Sequence, residues 1–179
     1  MKIAVGTRFW GVNTEQDFRR ISSFVEAGRK IGQVFVAVNA AEDKIGTLEL
    51  FTKVAFPVAP WGKFVAPLNA IVMKAALAGA DYLLLASAEF APTEEQVDHL
   101  LGHMGSSTLV AGAKFAEHEF RPGEEVEGTG TTVPWNTFAL WNMERLSRIG
   151  FPLVGDAPFD PKQAGVEEVT TIALYQEVW

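Results

Sequence analysis

Two kinds of apolar block alternate along this chain. Lys2–Val5, Val34–Val38 and Tyr82–Leu85 are short apolar runs with few polar interruptions. Runs of this length, bounded by breakers, predict strands buried on both faces. Between them the apolar residues recur every three or four positions. Thr14-Glu15-Gln16-Asp17 fits a capping box, and Phe18, Ile21, Phe24 and Val25 follow at helical spacing, with Gly28 as the expected stop. Asn69–Ala80 is apolar almost all round, which predicts a helix packed on both sides. Gly6 is expected to end the first strand, leaving Thr7-Arg8-Phe9-Trp10-Gly11 as a loop.

The second half is sparser. Pro92-Thr93-Glu94-Glu95-Gln96 opens a helix running to about Met104, with Thr93 and Gln96 as its capping pair. Thr108–Ala113 reads as a strand, and Glu117–Thr132, polar and aperiodic, as a long loop of the kind that carries function. Trp135–Trp141 is aromatic-rich, Asn142–Ile149 is a short helix closed by Gly150, and Val166–Glu177 is the last helix. In the first half, Ala40–Leu50 is expected to hold a loop and a short helix. Val54–Ala59 reads as a short strand that Pro57 confines to an edge or a bulge. Alternating strands and helices predict an α/β domain, Rossmann-like, with a mainly parallel, partly mixed central sheet.

Composition narrows the chemistry. The 179 residues fit one domain, 1–179, with a single sizeable core. A net charge of −7 argues against general affinity for nucleic acid or anionic membrane. There is no cysteine, so thiolate nucleophiles, thiolate metal sites and disulfides are excluded. Met1–Gly6 lacks the shape of a signal peptide, and no apolar run nears the roughly 20 residues of a membrane span. The expected location is cytoplasmic. There is no Walker-type glycine loop and no G-x-G-x-x-G after the first strand, which sets nucleotide triphosphatase and dinucleotide readings aside.

In an open α/β sheet, ligands bind beyond the carboxyl ends of the strands. Ala86-Ser87-Ala88-Glu89 follows the Tyr82 run and offers one hydroxyl and one carboxylate. Arg8, Lys53 and Lys63 stand in or near expected loops, with Arg8 and Lys63 the best placed to supply positive charge. The plainer reading of each is a solvated side chain. His99 and His103 share a spacing that binds zinc, but with no third ligand evident they read as a solvent-facing pair. Ser87 has no recognisable triad, which disfavours a serine hydrolase. Trp10, Trp61, Trp135 and Trp141 suit stacking on a ring as well as core packing. Glu167-Glu168, taken alone, reads as two exposed carboxylates in a first helical turn, favoured by the helix dipole.

Several features in order carry a resemblance. They are the strand ending Val36-Ala37-Val38-Asn39, the Asn69-Ala70 helix, Ala80-Asp81-Tyr82-Leu83-Leu84-Leu85, then Trp135-Asn136-Thr137-Phe138-Ala139-Leu140-Trp141 leading to Leu146-Ser147-Arg148-Ile149-Gly150-Phe151, and last Gly165-Val166-Glu167-Glu168-Val169. Together they resemble the GT-A nucleotide-sugar glycosyltransferases of the glycosyltransferase 2-like family, over nearly the whole chain. The resemblance implies a GT-A-like fold, a nucleotide-diphosphate sugar as donor and a hydroxyl acceptor. It implies Glu168 as the base that takes the acceptor proton, although a glutamate stands where the family has aspartate. Asn39 falls where the family's base-recognising aspartate lies; an amide still offers a base edge both a donor and an acceptor.

One departure is chemical. Where the family holds a divalent metal with Asp-x-Asp, this chain has Ala86-Ser87-Ala88, and alanine has no oxygen for a hard cation. Mg²⁺ or Mn²⁺ held through Glu89 alone is disfavoured. Without a metal, a departing diphosphate needs fixed cations or donors. The expectation is that Arg8, Asn39 and Lys63 hold the donor, with Ser87 and Glu89 beside the phosphates. Two other readings compete: a catalytically inactive GT-A-like binding or interaction module, and an unrelated α/β domain in which Asn39, Ser87 and Glu168 fail to converge. Donor, acceptor identity and oligomeric state are left open.

Overall fold

The computed structural model describes residues 1–9, 14–40, 53–121, 123–157 and 166–179. Trp10 and Gly11, the expected helix within 40–50, Pro158, Pro161 and Gly165 fall wholly or mostly outside the described residues.

The strands are β1 (Ile3–Phe9), β2 (Gln33–Asn39), β3 (Ala55–Val58), β4 (Tyr82–Ala86), β5 (Val110–Gly112) and β6 (Phe138–Asn142). The helices are α1 (Glu15–Ile31), α2 (Val65–Leu77), α3 (Glu94–Leu101), α4 (Met143–Ile149) and α5 (Glu167–Val178), with a 3₁₀ turn at Leu153–Asp156. One sheet holds the six strands in the order β3-β2-β1-β4-β6-β5. β1 pairs in parallel with β2 and β4, and β2 with β3, whereas β6 runs antiparallel to both β4 and β5. This is the mainly parallel, partly mixed α/β sheet that the alternation of elements predicts. Pro57 sits on the edge strand β3, where a missing N–H costs no central ladder bond.

Side chains alternate across the sheet with period two. Ala4, Phe35, Ala37, Leu83, Leu85, Ala139 and Trp141 pack with α2 and α4 on one face. Val5, Val34, Val36, Val38, Leu84, Phe138 and Leu140 pack with α1 and α3 on the other. Covering both faces explains why β2 and β4 read as unbroken apolar runs.

Several expectations change. Gly6 does not end β1, which continues to Phe9; a side chain at Gly6 would collide with Ile71, so the glycine instead lets α2 lie close on the sheet. Arg8 is thus a strand residue, not a loop residue. Gly28 does not stop α1; it is buried, with Val5 and Val34 at 3.2 and 3.0 Å from where its Cβ would stand. α2 begins at Val65 rather than Asn69, because the Asp156 carboxylate accepts hydrogen bonds from the Phe64 and Val65 N–H groups at 2.7 and 2.9 Å. That cap comes from the distant 3₁₀ turn and is invisible to local reading. The aromatic stretch before α4 is the strand β6. Both predicted capping boxes, at Thr14/Asp17 and Thr93/Gln96, are present, though α3 ends at Leu101 rather than Met104.

Asn69 lies within α2 and joins two of the motifs noted in the sequence. Its amide donates to the Phe151 carbonyl at 2.8 Å and accepts from the Phe151 N–H at 2.7 Å. Gly150 makes this fit: its φ is +62°, and Asn69 Oδ1 lies 2.9 Å from where a Cβ would be. Asn69→Ala leaves both backbone groups of Phe151 without these partners. We expect a loss of about 2–3 kcal/mol in urea unfolding with the slope unchanged; a loss under about 0.5 kcal/mol would show that the pair is not holding α4 to α2.

Candidate active site at the carboxyl rim of the sheet

Strands β1, β2 and β4 end at one rim, and antiparallel β6 starts there. The residues just before β6 therefore stand beside those just after β4: the Ser87 N–H donates to the Thr137 carbonyl at 3.0 Å. A cavity of about 120 Å³ opens on the α2 face of this rim, lined among others by Thr7, Arg8, Ser87, Asn136 and Thr137.

Charge is concentrated here. Arg8 points to the α2 face, its guanidinium 4.7 Å from the centre of the Phe64 ring. Its Nη2 lies 3.8 Å from Glu167 Oε1. Glu167 and Glu168 open α5 and are only 3% and 6% exposed, so the exposed first turn expected of the isolated pair gives way to a buried one. The Asn136 backbone N–H donates to Glu168 Oε1 at 2.6 Å, and the Trp141 indole N–H donates to Asn136 Oδ1 at 2.9 Å. Gly155 allows α5 to dock, since a Cβ there would stand 2.7 Å from the Glu167 Cα.

Burial governs the titration of all three groups. Desolvation pushes the Arg8 guanidinium down, with Glu167, Glu168 and Asp156 opposing it. Desolvation pushes the Glu167 carboxyl up against the pull of Arg8. Glu168 is raised to about 7, by desolvation first and by the neighbouring Glu167 charge second. A carboxyl poised near neutrality, fixed by a backbone donor, suits a proton acceptor.

The expected site residues fall in different places. Arg8 and Ser87 line the small cavity, and Glu168 is fixed to the backbone of a third lining residue, Asn136. Asn39 ends β2 at the same rim and is buried, but does not line the cavity. The Lys63 side chain is exposed, while its N–H reaches Asp156 at 3.3 Å. Glu89 turns away: it pairs with Arg20 of α1 at 3.7 Å and borders a groove of about 1330 Å³ between α3 and β5, lined by Phe90, Phe115, Phe120 and Phe138. His99 and His103, both exposed, line that groove too.

Neither Asn136 nor Asp156 carries a local sign of its role in the sequence. Asn136 sits within the aromatic stretch, and nothing local reveals that its peptide meets Glu168 32 positions away. A divalent metal does not fit the end of β4. Ala86 and Ala88 are buried and offer no oxygen, and Glu89 is engaged by Arg20. Among the described residues no group of three or more histidine, aspartate or glutamate side chains is arranged to hold a metal.

No protein-family model matches the chain, and no curated protein matches it in sequence. The fold does have solved counterparts. The crystal structure of S. aureus TarS 1–349 superposes with a TM-score of 0.60 at 13% identity, covering 98% of this chain and 55% of that one. A second S. aureus TarS structure superposes at 0.57 and 13% identity, covering 96% of this chain and 34% of that one. TarS is a glycosyltransferase, and the likeness gives this chain a glycosyltransferase-like α/β fold. The chain spans about half and a third of those two structures. Among the described residues no helix is long and apolar enough to cross a membrane.

The raised Glu168 has a consequence for stability. The folded state binds its proton more tightly than the unfolded chain, so its contribution is fullest below the ordinary value of 4.5 and is lost as the pH rises through about 7. Glu168→Gln keeps an oxygen for the Asn136 N–H and removes the titration. Urea unfolding across this range is expected to show the wild type losing stability toward pH 7 and the variant losing distinctly less. Parallel curves would show that Glu168 titrates normally.

Proposed function

We propose that this chain is a GT-A-like sugar-transferring domain that takes a nucleotide-diphosphate sugar as donor and delivers the sugar to a hydroxyl acceptor, without a tightly held metal. Glu168 supports this reading most strongly: a buried carboxyl near neutrality, held by a backbone N–H, at the rim of a glycosyltransferase-like sheet. Arg8, Ser87 and Asn136 around one cavity at that rim add to it.

In the proposed reaction the acceptor oxygen attacks the anomeric carbon while its proton passes to Glu168. The carbon–oxygen bond to the diphosphate breaks, and the diphosphate leaves with the electron pair. Asn39, at the end of β2, meets the edge of the donor base. Exposed Lys63 and the Ser87 hydroxyl are the donor's phosphate contacts, and Glu89, paired with Arg20 away from the cavity, takes no part. The Arg8 charge is already opposed by Glu167, so Arg8 adds less to phosphate binding than a free cation would.

Uridine and guanosine diphosphates, and their sugar conjugates, are expected to raise the melting temperature equally with and without Mn²⁺. At about 100 times the dissociation constant the ligand adds about 2.7 kcal/mol. No shift with any of them would sink the reading. Where a conjugate is turned over, the rate should rise with pH on a limb centred near the Glu168 value of about 7 and be lost in Glu168→Gln. Turnover that survives this substitution would remove Glu168 from the role of base.

A further inference from the structure

The loop from Glu117 to Thr132 lies between β5 and β6 and runs on through Val133 to Asn136. Among its described residues only His118 is buried, at 6% exposed. Both nitrogens of its ring are engaged with backbone. The Phe115 N–H can only donate, and it donates to Nδ1 at 2.8 Å. The ring proton therefore sits on Nε2, which donates to the Val133 carbonyl at 3.1 Å. One side chain thus ties together the two arms of the loop. Beside it the Glu119 N–H donates to the Thr131 carbonyl at 2.8 Å.

His118 also packs on Trp135, two positions after Val133. The two ring centres are 4.3 Å apart, and Phe115 stacks on the same indole at 5.7 Å and 12°. The indole N–H donates to the Gly130 carbonyl at 2.6 Å. The next peptide is the one that meets Glu168. Being planar, it points its two polar groups in opposite directions. The Trp135 carbonyl accepts from the Phe138 N–H at 3.1 Å, and the Asn136 N–H donates to Glu168 Oε1 at 2.6 Å. Downstream this peptide is held by β6 and by the Trp141 indole on Asn136 Oδ1. Upstream, Val133 and Trp135 are held through His118.

We infer that His118 is a positioning residue for the proposed base: by fixing the Val133 carbonyl and the Trp135 ring, it aims the Asn136 N–H at Glu168. It acts through this peptide and not on the reacting atoms. An apolar ring of the same size would fill the space but leave the Phe115 N–H and the Val133 carbonyl without these partners, which explains a histidine in the buried place. The inference rests on the sugar-transfer reading for the role of Glu168 and deepens it by naming what directs that carboxyl.

The test follows Glu168 itself. In a chain carrying ¹³C at its glutamate side-chain carboxyls, the Glu168 resonance is assigned by its loss in Glu168→Gln and then followed with pH. Arg8 and Glu167, the charged groups that act on Glu168, are left in place. His118→Asn keeps an acceptor near Nδ1 for the Phe115 N–H but falls short of Val133. His118→Gln reaches the position of Nε2 and keeps that donor. A hydrogen bond to the charged carboxylate holds its midpoint down. His118→Asn is therefore expected to titrate about one pH unit higher than the wild type, and His118→Gln near the wild-type value of about 7. An unchanged midpoint in His118→Asn, or an equal rise in both variants, would overturn the inference. If His118→Asn does not fold, Trp135→Leu takes its place: it removes the ring on which His118 packs and should also raise the midpoint, and no rise there overturns the inference as well. A raised midpoint without any nucleotide stabilisation of the wild type removes the transferase reading and leaves this link. Nucleotide stabilisation with an unmoved Glu168 removes the link alone.

Discussion

Arg8 stands near the start of the chain and Glu167-Glu168 near its end, and the fold buries all three together. A buried guanidinium costs several kcal/mol unless a carboxylate meets it, and the same holds in reverse. Neither partner is tolerable in the interior alone, so the first strand and the last helix constrain each other. The Arg8–Glu167 approach of 3.8 Å is long for a strong ion pair, and desolvation moves both groups toward neutrality despite it. The arrangement is therefore a weak source of net stability and a strong constraint on geometry.

The rest of the rim follows from that constraint. Docking α5 beside β1 brings its first turn against the 3₁₀ turn, where only glycine at 155 allows the approach. The same turn carries Asp156, whose carboxylate caps α2 from outside and sets where that helix starts. α2 in turn reaches Phe151 through Asn69 and ties down the turn after α4. The Asp156 and Asn69 contacts each join segments more than 80 positions apart. The reversed direction of β6 supplies the remaining side: it enters the sheet at the rim where β4 leaves it, so Asn136 and Thr137 arrive beside Ser87. A parallel strand in that place would have put its start at the opposite edge.

The chemistry of the rim differs from what an Asp-x-Asp site would offer. Ala86 and Ala88, small and buried at the end of β4, offer no oxygen to a hard cation. In exchange the site carries a guanidinium of its own, already balanced by carboxyls, and a glutamate whose pKa lies near neutrality. The wide aromatic groove beside α3 lies on the other face of the sheet, with Glu89 at its border.

Much of the architecture was legible along the chain, because strands covered on both faces must be apolar throughout and amphipathic helices must repeat near every third or fourth residue. Val34–Val38, Tyr82–Leu85 and the two capping boxes needed only neighbours within a few positions. Glycine misled where its role was tertiary: Gly6 and Gly28 read as stops but are points of close approach between helix and sheet. At the rim, the sequence itself determined which side chains bring charge, hydroxyl and carboxylate to the strand ends. Only the tertiary structure decided that Glu167-Glu168 would be buried against Arg8, that Glu89 would swing to Arg20, and that an asparagine in an aromatic stretch would hold Glu168. The reason is physical: desolvation and hydrogen-bond geometry depend on what surrounds a group in space, and those surroundings come from distant parts of the chain.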